Sequence, residues 1–379
     1  MLNKRVLITG ATGFIGSRLC EVLSLTGAFE PRAFIHSTAS AARITRFDMN
    51  FSVGDLCDAR SVDTAIQGCE TVVHLARGDA RVMRKGLENI LRASVNHGVK
   101  CFVHMSSVAV YGNNPPSESI CETARAKRTE VEYGNEKLAQ EHRVLHYAKR
   151  YGLPIVILRP PNVYGPFSGF TIGLINKIRS GVMAIVDGGK TPCNLVYIDN
   201  LIQAILLSLW SSKAIGETFF VTDHETITWE QCLEDHAKLV AVSLPRVSRA
   251  DLVRIPQERM IRDSLRMTPR ILLSGELRSM LRQIPVVRLL EMFLYNGFQS
   301  LSLNTRQTIR FCVNGPISFA RDGSTKGHFD ASDNLIAAQF RTVAHSNQKA
   351  RRLLGYTAPI SYLEGMALTK AWLRYSRII

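Results

Sequence analysis

The feature that most constrains the fold is a glycine-rich turn near the N-terminus. Residues 6–16 read VLITGATGFIG, an apolar segment predicted to form a buried strand, and a helical pattern follows it. A strand, a turn and a helix N-terminus form an anion site, because free backbone N–H groups and the positive end of the helix dipole face the turn. Gly10 allows the sharp turn, Gly13 lets a pyrophosphate approach the backbone, and Gly16 lets the helix pack on the strand. Spaced glycines also occur in ordinary turns, but the flanking strand and helix favour a dinucleotide site.

The composition is that of a globular protein with a large hydrophobic core. The chain has 379 residues, of which 46% are hydrophobic, enough for one large or two interleaved domains. No apolar run approaches the roughly 18 residues that span a bilayer. A cleaved signal peptide would remove the first strand, so we expect a cytoplasmic protein. The eight cysteines are scattered without paired C-x-x-C spacing, which predicts reduced thiols and no metal site.

The net charge of +15 predicts anionic partners. The sequence has no compact Lys/Arg run and no nucleic-acid-binding module, so we expect no nucleic-acid partner. We favour an anionic cofactor and an anionic small-molecule substrate, with peripheral membrane contact as the second interpretation. Residues 284–298 are apolar but too short to span a bilayer; they either lie at a membrane interface or, as we favour, form a core or dimer helix.

Strands and helices alternate through the first 160 residues. Strands that are apolar on both faces predict a parallel sheet covered by helices on both sides, with ligands beyond the carboxyl ends of the strands. Polar residues that close several of these strands should therefore meet in one crevice. Besides the first strand, the predicted elements are strands at 31–36, 51–56, 71–76, 100–106, 153–158, 196–201 and 218–222, and helices at 82–97 and 130–151.

The predicted fold class is α/β, a Rossmann-type doubly wound parallel sheet with a smaller, mostly helical C-terminal substrate domain. The dinucleotide-binding domain is predicted at 1–165, with its sheet completed by about 195–222. The substrate-binding part is predicted at 166–194 and 223–379, and it includes a basic helical insertion at about 245–330.

Two local patterns indicate hydride and proton chemistry. Tyr133 and Lys137 are four residues apart in a predicted helix, so they share one face. An unperturbed phenol has a pKa near 10, too high for a general base at neutral pH. A nearby ammonium and a cationic nicotinamide ring would favour the phenolate and lower that pKa. A serine at the end of the strand at 100–106 can hydrogen-bond a substrate hydroxyl or carbonyl beside the crevice.

Together these residues resemble the extended branch of the short-chain dehydrogenase/reductase superfamily, the NAD-dependent epimerase/dehydratase family. The similarity covers nearly the whole chain except about 230–340. The motifs that carry it are TGATGFIG (9–16), GDL (54–56), HLA (74–76), SSVAVYG (106–112), YGNEK (133–137), LRPPNVYGP (158–166), VYIDNL (196–201) and the C-terminal segment 346–374.

The resemblance implies roles for particular residues. Tyr133 would be the catalytic acid/base, Lys137 would hold the nicotinamide ribose and lower the pKa of that tyrosine, and Ser107 matches the catalytic Ser/Thr of the family. Asn162 falls where sugar-nucleotide epimerases contact the substrate phosphate. The family commonly forms homodimers through helices that include the Tyr/Lys helix. The residues expected to bind the cofactor are Gly10, Thr12, Gly13, Phe14, Ile15, Gly16, His36, Asp55, Leu56, Leu75, Ala76, Tyr133, Lys137, Pro160 and Val163.

Departures from the family pattern narrow the reaction. The 4,6-dehydratases that the chain resembles carry an Asp-Glu pair after the catalytic Ser/Thr, and uronate decarboxylases keep an acid there. This chain has Val108 and Ala109, which transfer no protons, so dehydration and decarboxylation are disfavoured. The usual small residue after HLA is Arg77, which either binds a substrate phosphate or carboxylate or points to solvent.

The end of the second strand bears on the choice of cofactor. His36 stands where an acid would hold an NAD ribose hydroxyl, and Arg43 and Arg46 follow downstream, where they can face a 2′-phosphate. This favours NADP over NAD only slightly, because the geometry of the loop decides it.

The sequence therefore predicts an NAD(P)-dependent oxidoreductase or epimerase that acts on a secondary alcohol or ketone of a nucleotide-linked sugar. One alternative is a hydroxysteroid-dehydrogenase-like enzyme or ketone reductase with a lipophilic, non-sugar substrate. A second alternative is a non-catalytic cofactor-sensing protein, against which the intact Ser/Tyr/Lys set argues.

Overall fold

The computed structural model describes residues 4–252, 329–330 and 333–379. The apolar segment 284–298 and most of the predicted basic insertion lie outside the described residues, so neither prediction is addressed by the structure. Within the described ranges no helix is both long enough and apolar enough to cross a membrane.

A seven-stranded parallel sheet forms the centre of the molecule, in the order β3-β2-β1-β4-β5-β6-β11. The strands β5 and β6 are buried along their whole length, which explains why their sequences are apolar without alternation. The predicted α/β class and doubly wound parallel sheet are confirmed. The strands are β1 Arg5–Thr9, β2 Glu30–Ile35, β3 Asn50–Val53, β4 Thr71–His74, β5 Cys101–Met105, β6 Ile155–Arg159 and β11 Thr218–Phe220.

Helices cover both faces of this sheet. Successive residues of β1 point to opposite faces, so Val6 and Ile8 pack in one hydrophobic cluster and Leu7 in another. The first cluster includes side chains of α1 and α6, and the second includes side chains of α2, α3 and α4. These helices are α1 Phe14–Thr26, α2 Ala59–Ile66, α3 Leu87–Asn96, α4 Glu132–Tyr151 and α6 Ile198–Trp210. The helix α5 Gly169–Arg179 lies between α4 and α6 in the chain.

The predicted return of residues 196–201 to the main sheet is wrong. Only Leu195–Tyr197 is extended (β10), and it pairs with Asn162–Tyr164 (β7) in a separate two-stranded ladder. The α6 helix begins directly at the next residue. Asp199 in its first turn is a negative charge at the helix N-terminus, which favours the helix, and it accepts hydrogen bonds from the Arg18 guanidinium of α1 at 2.6 and 3.0 Å. The second predicted return, at 218–222, is confirmed, since β11 pairs with β6 at the sheet edge.

Short strands and helices carry the chain over the carboxyl edge of the sheet. Asn200 of α6 fastens the C-terminal segment to this part, because its amide exchanges hydrogen bonds with the backbone of Ile360 and donates to the Asp223 carboxylate. The remaining described elements are β8 Ile185–Val186, β9 Pro192–Cys193, β12 Ile227–Thr228, α7 Trp229–Leu239, β13 Arg246–Val247, α8 Asn334–Ala338, α9 Gln348–Leu354 and α10 Tyr362–Tyr375.

Candidate active site

The glycine turn is shaped for close approach of an anion. Gly10 has a φ of 69°, and a Cβ there would lie 2.8 Å from backbone atoms of Leu75 and Ala76. A Cβ on Gly16 would lie 2.2 Å from the carbonyl oxygen of Gly10. Gly13 precedes α1 and supplies no side-chain cap, so the first N–H groups of the helix face the turn without that partner. This cradle fits a dinucleotide diphosphate.

Further residues expected to hold the cofactor follow the ends of neighbouring parallel strands. Because the strands are parallel, these residues share the carboxyl edge of the sheet with the glycine turn. The carboxylate of Asp55 accepts a hydrogen bond from the Cys57 N–H at 2.8 Å, and the carbonyl of Leu56 accepts one from the amide of Asn89 at 2.9 Å. His36 follows β2 and is exposed.

The two arginines after β2 have different surroundings. The Arg43 guanidinium is exposed and lies 4.7 Å from the ring centroid of Phe167. The Arg46 guanidinium donates to the Glu21 carboxylate at 3.2 Å and stacks on Phe47, so its charge is already partnered.

The Tyr/Lys helix places both side chains next to the serine loop. Tyr133 and Ser107, which follows β5, line the same cavity, and the Ser107 hydroxyl donates to the Pro160 carbonyl at 3.4 Å. The Ser107 hydroxyl also accepts a hydrogen bond from the Ala109 N–H at 3.1 Å, at the start of a short 3-10 helix over Val108–Tyr111. The Lys137 ammonium is buried and donates to the Met105 carbonyl at 2.8 Å. The structure therefore brings the three predicted catalytic residues together.

The electrostatics of Tyr133 differ from the sequence argument. Burial raises the pKa of the Tyr133 phenol, and the Arg77 charge and the nearby Ser107 hydroxyl oppose that rise. The Arg77 guanidinium lies 4.9 Å from the centroid of the tyrosine ring. Burial and repulsion by Arg77 lower the pKa of Lys137 to about 8. The cation that faces the tyrosine directly is thus Arg77.

A buried ion pair supports this part of the site, and sequence reasoning missed it. The Glu141 carboxylate, one turn after Lys137 on the same helix face, accepts two hydrogen bonds from Arg159 of β6, at 2.8 and 2.5 Å. Arg159 also donates to the Tyr111 hydroxyl at 2.7 Å, and Ser106 donates to Glu141. Two signals were available: Glu141 continues the i, i+4 spacing, and Arg159 ends an otherwise apolar strand.

A cavity of about 320 Å³ opens beside Tyr133 and Ser107. Among the described residues that line it there is no aspartate or glutamate, while two arginines, Arg77 and Arg341, do line it. The residues expected to contact substrate, Arg77, Ser107 and Asn162, all line it, and so do Val108 and Ala109.

The C-terminal segment contributes cavity residues that sequence reasoning did not identify. Arg341 is partly buried and donates to the Asn113 side chain at 2.7 Å, while its Nε–H has no partner among the described residues. His345 is buried, and burial lowers its pKa to about 4, so its ring is neutral at physiological pH. Trp229 and Asn194 complete this wall. No local motif marks these residues, because they reach the cavity from far along the chain.

The comparison with known proteins agrees with this geometry. A model of the NAD-dependent epimerase/dehydratase family matches residues 6–221. A UDP-glucose 4-epimerase of Vibrio cholerae is 28% identical over 252 residues, covering 62% of this chain and 75% of that protein. Sterol demethylase protein B of Methylococcus capsulatus is 30% identical over 286 residues, covering 70% of this chain and 84% of that protein.

A solved structure shares the fold over almost the whole chain. The UDP-glucose 4-epimerase of Thermotoga maritima with UDP-glucose superposes with a TM-score of 0.67 at 18% identity, covering 98% of this chain and 99% of that chain. This chain belongs to the NAD-dependent epimerase/dehydratase family and is an enzyme of the extended short-chain dehydrogenase/reductase type.

Proposed function

We propose that this member of the NAD-dependent epimerase/dehydratase family oxidises or epimerises a secondary alcohol, or reduces the corresponding ketone, of a nucleotide-linked sugar through Ser107, Tyr133 and Lys137. The observation that carries the proposal is that Ser107 and Tyr133 line one cavity, whose lining includes two arginines and, among the described residues, no carboxylate. Such a cavity favours an anionic substrate, and a nucleotide sugar carries a diphosphate.

In this proposal Tyr133 handles the proton of the reacting hydroxyl. The phenolate oxygen takes that proton as the C–H bond breaks, and in the reverse direction the phenol returns it to the carbonyl oxygen. Ser107 hydrogen-bonds the same substrate oxygen and so fixes its distance from Tyr133. The buried Lys137 ammonium stabilises the phenolate once the cofactor is bound.

The dinucleotide, when bound, supplies the hydride acceptor and donor. The backbone N–H groups after Gly13 would hold its diphosphate, and Leu75 and Ala76 would line it beside the glycine turn. Pro160, which is buried after β6, and Val163 of β7 would lie beside the nicotinamide. For the adenine end, His36 in place of an acid favours NADP, with the exposed Arg43 as the contact for a 2′-phosphate. If this is so, Arg43→Gln will weaken NADP binding and leave NAD binding unchanged.

We propose that Arg341 and Asn162 contact the diphosphate of the substrate. Both line the cavity, and the partnerless Nε–H of Arg341 offers a donor for a phosphate oxygen. Val108 and Ala109 occupy the wall where an acid would be needed for dehydration, and the described lining residues include no carboxyl group to replace it. Simple oxidoreduction or epimerisation therefore fits better than dehydration or decarboxylation.

The test compares Tyr133→Phe with a matched tyrosine on the same helix. Purified protein saturated with NAD or NADP is assayed against UDP-, GDP- and dTDP-sugars, first by thermal shift and then by turnover. We expect Tyr133→Phe to lose turnover by a factor of about 100 or more while still binding the ligand. Tyr151→Phe, which changes an exposed ring at the end of α4, should behave as wild type. Unchanged turnover in Tyr133→Phe would reject the catalytic assignment.

A ketone reductase or hydroxysteroid-dehydrogenase-like enzyme is the second candidate function. The cavity has apolar side chains opposite the polar ones, including Phe170, Trp229 and Leu335. One relative is named a sterol demethylase protein. For this candidate the nucleotide sugars should give no thermal shift, whereas a sterol or long-chain ketone should raise the melting temperature.

We also propose that the chain forms a homodimer through α4. The resemblance to the family implies such a dimer, and Leu145 on this helix is an apolar residue that is 43% exposed. Light scattering of the eluted protein should give a dimer mass, and Leu145→Glu should reduce it to the monomer mass.

A further inference from the structure

Arg77 lies where the reacting part of a substrate must bind. It lies three residues after the end of β4, is exposed, and lines the cavity with its guanidinium 4.9 Å from the ring centroid of Tyr133. Under the proposed function the Tyr133 hydroxyl touches the oxygen of the carbon that is oxidised or reduced. Arg77 is therefore beside the groups attached to that carbon.

The charge of Arg77 has no partner of opposite sign among the described residues. Several other arginines of the described chain are held by carboxylates, such as Arg18 by Asp199 and Arg159 by Glu141. For Arg77 no ion pair occurs within the described ranges, and no acidic side chain from those ranges lines the cavity. A ligand that fills the cavity removes water from the guanidinium, which costs binding energy unless the ligand brings an anion to it.

We infer that Arg77 is a specificity-determining residue that binds a carboxylate of the substrate next to the carbon that reacts. The inference rests on the proposed function, because it takes Tyr133 as the group at the reacting oxygen. The planar guanidinium fork matches a carboxylate with two parallel hydrogen bonds. A carboxylate there also offsets the repulsion between Arg77 and the buried ammonium of Lys137, which now lowers the pKa of that lysine.

The diphosphate of a nucleotide sugar, which we assign to Arg341, does not also provide a partner for the charge of Arg77. Arg341 reaches the cavity from the segment after α8 and is held by Asn113, whereas Arg77 comes from the end of β4. Two guanidinium groups from different walls fit a substrate with two anionic groups, one remote from the reacting carbon and one beside it.

The test uses pairs of ligands that differ by a carboxylate. UDP-glucuronate and UDP-glucose differ only at one sugar carbon, and 3-oxooctanoate and its methyl ester form a second pair that has no nucleotide. Affinities are measured calorimetrically on cofactor-loaded Tyr133→Phe protein, which keeps an aromatic ring under Arg77 and does not consume the ligand. The variants added to this background are Arg77→Gln and, as a matched control, Arg81→Gln, an exposed arginine four residues on that does not line the cavity.

We expect the carboxylate ligand of at least one pair to bind about tenfold or more tightly than the partner that lacks the carboxylate. Arg77→Gln should reduce that ratio to near one, and Arg81→Gln should keep it. The inference is overturned if neither pair shows an Arg77-dependent preference, which includes the case that none of the four ligands binds. It is also overturned if Arg77→Gln weakens both members of a pair equally, as a diphosphate contact would, or weakens only the cofactor.

The two proposals fail separately. If the sugar nucleotides do not bind but the 3-oxo acid pair shows the Arg77-dependent preference, the nucleotide-sugar function is rejected and the carboxylate site stands. If the sugar nucleotides bind and react through Tyr133 without such a preference, the function stands and the carboxylate site is rejected.

Discussion

The substitution Gly134→Ala tests whether the spacing between the tyrosine helix and the serine loop controls catalysis. Gly134 lies in α4 directly after Tyr133, and it is buried against the 3-10 helix that Ser107 caps. A Cβ at this position would lie 2.0 Å from the carbonyl oxygen of Ala109 and 2.8 Å from its carbonyl carbon. Both atoms belong to backbone, so the clash cannot be relieved by a change of rotamer.

The required displacement can be worked out from these distances. An ordinary contact begins near 3.4 Å, so the helix and the loop must separate by about 1.4 Å. Overpacking of this kind costs about 1–3 kcal/mol of the free energy of unfolding. The same displacement parts Tyr133 from Ser107, and a misplacement of about 1 Å can reduce turnover by about 100-fold.

The assay pairs stability with activity and includes a matched glycine. Urea unfolding gives the free energy of unfolding, and initial rates are measured with whichever substrate the wild type turns over. Gly173→Ala is the control, because it lies inside α5 and a Cβ there meets nothing within 4 Å. The control should gain about 0.5–1 kcal/mol from helix propensity at unchanged activity. If Gly134→Ala likewise gains stability and keeps full turnover, the argument from close packing is refuted.

Two further predictions concern the buried charges. Arg159→Met leaves the Glu141 carboxylate buried without its cation and should lower the free energy of unfolding in urea by about 3–5 kcal/mol. Replacing both Arg159 and Glu141 by methionine should restore most of this loss. A loss below about 1 kcal/mol in Arg159→Met would contradict this. Burial lowers the pKa of His74 to about 3 and that of His104 well below 6.5. Below pH 6.5 these two histidines therefore bind protons in the unfolded chain but not in the folded protein, so the free energy of unfolding falls as the pH falls. The His345 pKa, lowered to about 4, adds a third histidine to this loss, while the Asp223 pKa, raised to about 6, opposes one histidine between about pH 6 and 4. The net loss from these four groups is about 2.7 kcal/mol per pH unit. Unfolding curves at about pH 6.0 and 5.0 measure it, and equal stabilities would contradict it.

The parts of the fold that the sequence predicted correctly are those with short-range signals. The glycine turn is readable because Gly10 needs a positive φ and Gly16 has no room for a Cβ, and both requirements act within a few residues. Tyr133 and Lys137 are readable because one helical turn separates them. The structure of segment 196–201 could not be predicted, because a short apolar run is equally compatible with a strand and with the start of a buried helix. The structure shows a helix that begins at Ile198.

Electrostatics and distant contacts could not be predicted in the same way. The direction of the Tyr133 pKa shift depends on how deeply the phenol is buried and on which cation faces it, and neither follows from the spacing to Lys137. Arg341 lies more than 200 residues beyond Tyr133 in the chain, and no periodicity relates the two. The cavity exists because the chain crosses the carboxyl edge of the sheet again after α8, which is a property of the tertiary fold.

Chemistry and specificity are therefore carried by different parts of the chain. In the proposed function the reaction depends on residues at the ends of parallel strands and on one helix, which a parallel sheet brings to a common edge whatever the substrate is. The other cavity walls come from segments such as β9, α7 and α8, which no family motif covers. Arg77 belongs to both parts, because it follows a strand of the sheet, faces the tyrosine and lines the cavity. A change at this one position should alter which substrates are accepted without removing Ser107, Tyr133 or Lys137, the three residues proposed to carry the reaction.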